Sequence, residues 1–115
     1  MAKRHFLEWL SSPFDPSASS DSLLARIYFF GELPEEIRRE QLGAYERYHQ
    51  QVLRKLQTIE KRFSASIVTD RDYFELSTLY LGLQQVQGSI RWLRYISEQR
   101  PLAEFVRREN EGEHT

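Results

Sequence analysis

Leu42, Tyr45, His49, Val52, Leu56, Ile59 and Phe63 follow one another at alternating steps of three and four residues. That is the a/d spacing of a coiled coil, sustained for about three heptads. Leu76, Leu79, Leu83, Val86, Ile90 and Leu93 repeat it further along the chain. Side chains at this spacing line one side of a helix, and such an apolar stripe must be covered by another helix or by a second copy of the same one. The two runs predict an all-α fold: two long, antiparallel, coiled-coil-like helices with short flanking helices, dimerising. Leu42 to Phe63 is the expected pairing seam, with Leu83, Val86, Ile90 and Leu93 behind it. No strand pattern competes with this reading.

Helix boundaries follow from local chemistry. Lys3 to Leu10 reads as a short amphipathic helix with Phe6, Leu7, Trp9 and Leu10 on a broad face, ended by Ser11-Ser12-Pro13. Residues 1–12 are thus a linker helix and 13–20 a Ser/Pro linker. Ser20 or Asp21 can cap a helix over Ser22 to Phe30, with Gly31 placed as a C-terminal glycine cap. Pro34 then opens the first long helix, with Glu35 and Glu36 at the positive end of its dipole. That helix should reach about Ser66. Thr69 or Asp70 caps the second, which should stop near Gln99, ahead of Pro101. Leu102, Phe105 and Val106 suggest one more short turn, and the polar tail from Arg108 should fray. The expected helical domain spans 21–108, with 109–115 as a flexible tail.

Composition narrows the function. A net charge of -1 gives no field to recruit nucleic acid or an anionic membrane. Cysteine is absent, which excludes disulfides, thiolate metal sites and thiol catalysis and fits a cytoplasmic protein. The N-terminal stretch has neither a signal-peptide core nor the length of a membrane span. Arg38, Arg39, Arg47, Arg54, Lys55, Lys61 and Arg62 interleave with Glu35, Glu36, Glu40, Glu46 and Glu60, as on a solvated helix face. Glu46-x-x-His49 puts a carboxylate and an imidazole on one helix face, as di-iron bundles do. Its only companion, Glu111-x-x-His114, lies on the polar tail, so no metal or cofactor is expected. There is no nucleophile elbow and no phosphate-cradling loop, and no enzymatic activity is expected.

His49 reads in two ways. A polar residue inside an apolar seam can fix register and make pairing pH-sensitive; the alternative is a half-solvated histidine at the seam's edge. Trp9 and Trp92 read most simply as core residues, and otherwise as walls of a candidate ligand pocket to which the tyrosines add hydroxyls. Gly82 and Gly88 each cost about 1 kcal/mol of helix propensity. Either the helix tolerates them, or Thr78, Gly82 and Ser89 make a small-residue face for a close helix approach.

From Leu23 to Leu93 the order of features resembles the C-terminal, virulence-activator-alpha-like domain of PadR-like transcriptional regulators. The resemblance rests on Leu24-Ala25-Arg26-Ile27-Tyr28-Phe29-Phe30-Gly31-Glu32-Leu33-Pro34-Glu35-Glu36, the charged long helix, Tyr73-Phe74-Glu75-Leu76, Leu81-Gly82-Leu83 and Ile90-Arg91-Trp92-Leu93. Arg4 to Leu10 resembles the stretch that follows the wing in that family. The resemblance implies a homodimer, or a heterodimer with a full-length relative, and a small aromatic effector as ligand. The family's winged helix would lie ahead of Met1, so no direct nucleic-acid binding is expected from these residues alone. Two other readings stay open: a helical protein–protein adaptor, and a ligand-binding helical bundle.

Overall fold

The structure, a computed structural model, describes residues 2–13, 15, 20–63 and 69–112; the side chains of residues 2, 3, 20 and 21 are not described. In chain order it contains α1 (Ala2–Ser11), α2 (Ser20–Tyr28), a 3-10 turn (Phe30–Glu32), α3 (Glu35–Phe63), α4 (Asp70–Ser97) and α5 (Leu102–Gly112). The described residues contain no strand, as the sequence predicts. The chain divides into two compact units, Met1–Tyr45 and Glu46–Thr115.

In the first unit Leu10, Phe30, Leu33, Leu42 and Tyr45 are buried. The end of α1 is satisfied by side chains from elsewhere in the unit. Arg26 of α2 donates to the carbonyls of Leu10 (3.1 Å) and Ser12. Gln41 Nε2 donates to those of Ser11 (3.2 Å) and Ser12 (2.6 Å). The hydroxyls of Ser11 and Ser12 cover Leu7 O and Trp9 O at 2.8 and 2.6 Å. A helix leaves its last carbonyls orphaned, and its negative end favours a cation, so a buried arginine is at home here. Leu10 is the fully buried residue of the predicted α1 face; Phe6 and Leu7 are half-buried and Trp9 is exposed.

Two local expectations change. Gly31 is not a left-handed cap: no glycine of the described residues has positive φ. The chain leaves α2 by 3-10 bonds instead, Phe29 N to Arg26 O (3.1 Å), Glu32 N to Phe29 O (2.9 Å) and Leu33 N to Phe30 O (3.1 Å). The first of these occupies the Arg26 carbonyl at the end of α2, and together they turn the chain without a left-handed glycine. Pro34 stands one residue before α3, its carbonyl accepting from Arg38 N at 3.0 Å. The Ser20 and Asp21 side chains, proposed as caps, lie outside the described residues, as does Ser66 beyond Phe63.

In the second unit the remainder of α3 packs against α4. Glu46 meets Arg94 at 3.1 Å, Leu56 adjoins Gly82, and Glu60 bonds Tyr80, so the helices run antiparallel. Leu76, Leu83, Val86, Ile90 and Leu93 of the second run are buried and Leu79 is half-buried. Thr69 caps α4 through a reciprocal box: its hydroxyl accepts from Asp72 N, and Asp72 Oδ2 accepts from Thr69 N, both at 3.1 Å. At the far end Arg100 N reaches Tyr95 O (3.2 Å) and Gln99 N reaches Ile96 O (3.1 Å). That is the Schellman pattern, with Gln99 at φ 51° in the position glycine usually takes. Beyond Pro101 the expected short turn is an 11-residue helix, and the expected fraying tail is helical as far as Gly112. Phe105 packs on Tyr95, and Arg91 holds Glu109 through two bonds of 2.6 and 3.0 Å. Tertiary contacts of this kind sustain helices too short to stand alone. Residues 113–115, including His114, lie outside the described residues.

Candidate functional site

The surface with the clearest capacity to act is the second-unit hairpin of α3 and α4. The α3 seam changes character along its length. Leu42 and Tyr45 are buried, His49, Val52 and Leu56 are half-buried, and Ile59 and Phe63 are exposed. The seam is therefore largely engaged at one end and uncovered at the other. Leu56 lies 3.7 Å from where a Cβ on Gly82 would sit, so it belongs to the α3–α4 contact itself.

α4 carries a second apolar stripe. Phe74 and Leu81, seven residues apart, are 66 and 56 % exposed. Each stands two residues from a buried leucine, Leu76 or Leu83, and two residues of helix turn a side chain to the far side. Tyr73 and Tyr80, also seven apart, are exposed beside them. Ile59 and Phe63 of α3 are exposed as well. Sequence reasoning passed over the second α4 stripe because it followed one stripe per helix. The signal was present in Tyr73-Phe74 and Tyr80-Leu81, two aromatic–apolar pairs one heptad apart.

His49 is half-buried, its ring edge-on to Tyr48 with centroids 5.6 Å apart. Glu46, its neighbour in the Glu-x-x-His pattern, is held by Arg94. Among the described residues no group of three or more His, Asp or Glu side chains is arranged to hold a metal. Trp9 belongs to the first unit, 6.0 Å from the Phe6 ring and with the Arg26 guanidinium 5.9 Å from its own centroid. Trp92, in the second unit, is half-buried on α4. Thr78 is exposed, and Gly82 and Ser89 are half-buried. No helix of the described residues is long and apolar enough to cross a membrane.

Two phenols are perturbed. Burial raises the Tyr45 pKa, the Arg26 charge pulling the other way. Partial desolvation, then the hydrogen bond and charge of Glu60, raise that of Tyr80, a residue that remains 44 % exposed. Both hydroxyls stay protonated near neutrality and serve as hydrogen-bonding groups, not bases. The Arg26–Gln41 clamp on α1 is a feature the sequence did not reveal, since nothing in the spacing of Arg26 and Gln41 connects them to Ser12.

Searches among curated proteins and among solved structures found no match. Residues 21–99 match a family model described as Virulence activator alpha C-term. The matched span opens in α2 and closes at the Schellman turn after α4, leaving α1 and α5 outside it. It takes in the half-buried α3 seam, the buried α4 stripe and the uncovered Phe74–Leu81 face alike. The chain belongs to the Virulence activator alpha C-term family.

Proposed function

We propose that this chain is the dimerisation and effector-sensing part of a PadR-like transcriptional regulator, pairing with a second copy or with a longer relative, and carrying out no catalysis. The observation that carries the reading is the second apolar stripe of α4. Phe74 and Leu81 are exposed on a helix whose opposite side is already packed. Exposed apolar residues grouped on one face favour association, because burying them removes apolar surface from water. The heptad spacing of both long helices and membership of a regulator-associated domain family support the same reading. Such a part reads no DNA by itself; it brings two DNA-reading halves together, in the cytoplasm.

Leu56→Glu is a poor probe of pairing, since Leu56 also touches Gly82 within the hairpin. Phe74→Glu with Leu81→Glu charges only the exposed stripe. Sedimentation equilibrium on the parent is expected to give a dimer, and the double variant a monomer of unchanged helicity. Loss of one well-buried anchor costs about 1.4 kcal/mol or more, so the double variant should associate at least about tenfold more weakly than the parent. A parent that stays monomeric at its highest soluble concentration, or a double variant that pairs as tightly as the parent, would sink the assignment.

A further inference from the structure

Between α4 and α5, within the second unit, lies a cleft of about 230 Å³ walled by Tyr95, Phe105, Arg91, Arg94, Arg100 and Arg108. Arg100, Phe105 and Arg108 lie beyond the span matched by the family. We propose that this cleft takes a free, uncharged molecule with a short saturated chain. The chain lies along ring edges and arginine methylenes, and a neutral polar end stays in water at the mouth. The inference gives the effector-sensing part of the proposed function a site and a ligand class, and rests on that reading only for what occupancy does.

Four arginines in one wall would suit an anion if their charges were free, but each is engaged. Arg91 is held by Glu109 at 2.6 and 3.0 Å, Arg94 by Glu46 at 3.1 Å and Arg108 by Glu104 at 2.7 Å. Arg100 reaches Glu104 at 3.3 Å, and its guanidinium lies over the Tyr95 ring. Glu109 itself lines the cleft and sets a negative charge beside the positive ones. An arginine whose head is paired still offers its methylene stem, and the cleft surface is accordingly apolar almost throughout. The Tyr95 hydroxyl is shut off from solvent and offers a ligand nothing. A polar group placed inside would give up water for no partner, whereas a methylene gains by leaving water. The buried part of the ligand is therefore hydrocarbon.

Its shape follows from what the rings are already doing. The Tyr95 ring carries the Arg100 guanidinium 4.3 Å from its centroid and the Phe105 ring 5.1 Å away, centroid to centroid. A ligand ring would have to displace one of these contacts to stack, whereas a flexible chain needs only ring edges and arginine methylenes. An apolar cavity of about 150 Å³ holds benzene. The cleft is larger by about half, room for roughly six to nine carbon atoms. That is too little for the acyl chain of a membrane lipid, so the ligand is a small free molecule.

The test titrates the isotope-labelled full chain with straight-chain alcohols from butan-1-ol to octan-1-ol. Amide shifts and ligand contacts to the Tyr95 and Phe105 ring protons report the site. Saturable shifts confined to residues 91–109 are expected, with affinity rising about two- to fourfold per added methylene. Hexanoate, hexylammonium and benzyl alcohol should each bind more weakly than hexan-1-ol. Arg108→Met keeps a methylene wall without the charge and should bind hexan-1-ol as the parent does. Arg108→Ala removes that wall and should bind it at least about twofold more weakly. Methionine and alanine are both good helix formers, so α5 should persist in each variant. Shifts that do not saturate, that map elsewhere, or that do not tighten with chain length overturn the site. So does an Arg108→Ala protein that binds as tightly as Arg108→Met. Hexanoate or hexylammonium binding more tightly than the alcohol overturns the uncharged class, and benzyl alcohol binding as tightly as hexan-1-ol overturns the saturated chain. Sedimentation of the same samples keeps the two ideas apart: a monomer that binds hexan-1-ol sinks the pairing and leaves this site standing.

Discussion

Gln99 is the residue whose backbone the sequence least anticipates. It closes α4 in a left-handed conformation that costs an L residue about 1–2 kcal/mol, and the Schellman bonds of Arg100 and Gln99 hold it there. Gln99→Gly is expected to raise stability by about 1 kcal/mol, part of the relief being offset by the greater freedom of glycine in the unfolded chain. Urea denaturation checks this, and an unchanged or lowered midpoint would show that the Gln99 side chain contributes more than its backbone costs. Gly31 is the converse case. Its position after an apolar helix has the look of a cap, yet the 3-10 bonds through Phe29 and Phe30 leave nothing for a left-handed glycine to do. Local spacing identifies where a helix ends; it does not choose between the ways of satisfying the last carbonyls.

At the scale of elements, α4 is the unusual helix. Its core stripe from Leu76 to Leu93 and its outer stripe through Phe74 and Leu81 leave little of the circumference polar in its first half. Gly82 lies between the stripes. A Cβ there would meet Leu56 Cδ1 at 3.7 Å, an ordinary contact, so the packing of α3 on α4 does not require glycine. Gly82→Ala should therefore stabilise the hairpin by about 1 kcal/mol, the usual propensity gain. Thermal unfolding measures that gain. A destabilised variant would mean that α3 and α4 approach too closely for a methyl group. The heptad runs made both long helices legible, and the break at Thr69 and Asp70 offered two caps, of which the reciprocal bonds with Asp72 chose Thr69. α5 was underestimated because its stability comes from Tyr95 and Arg91 on another helix, which no local pattern reports.

For the whole molecule, the two perturbed tyrosines sit one in each unit, Tyr45 in the first and Tyr80 in the second. A phenol whose folded pKa is raised keeps its proton more firmly in the folded state. Its stabilisation is complete below the unfolded value of about 10 and is lost as pH rises from there through the folded pKa. Stability should accordingly be flat on the alkaline side up to about pH 10 and fall above it. Tyr80→Phe should make that fall shallower, since it removes one of the two titrations. Urea midpoints at several alkaline pH values provide the measurement. A fall equally steep when both tyrosines are replaced by phenylalanine would place its origin elsewhere.

By itself the sequence determined the all-helical class and the two long helices, and narrowed the cap of α4 to Thr69 or Asp70. These follow from periodicity and local hydrogen bonding, which act over a few residues. It marked the candidate seam but not the division of labour within it. Only the tertiary structure decided that Leu42 and Tyr45 are buried while Ile59 and Phe63 remain exposed, and that Phe74 and Leu81 are left uncovered on α4. It alone brought Arg26 and Gln41 to the end of α1, and Arg100 to Tyr95. The reason is physical. An apolar stripe states that a face must be covered, but what covers it, and how much is left over, depends on contacts between residues far apart in the chain.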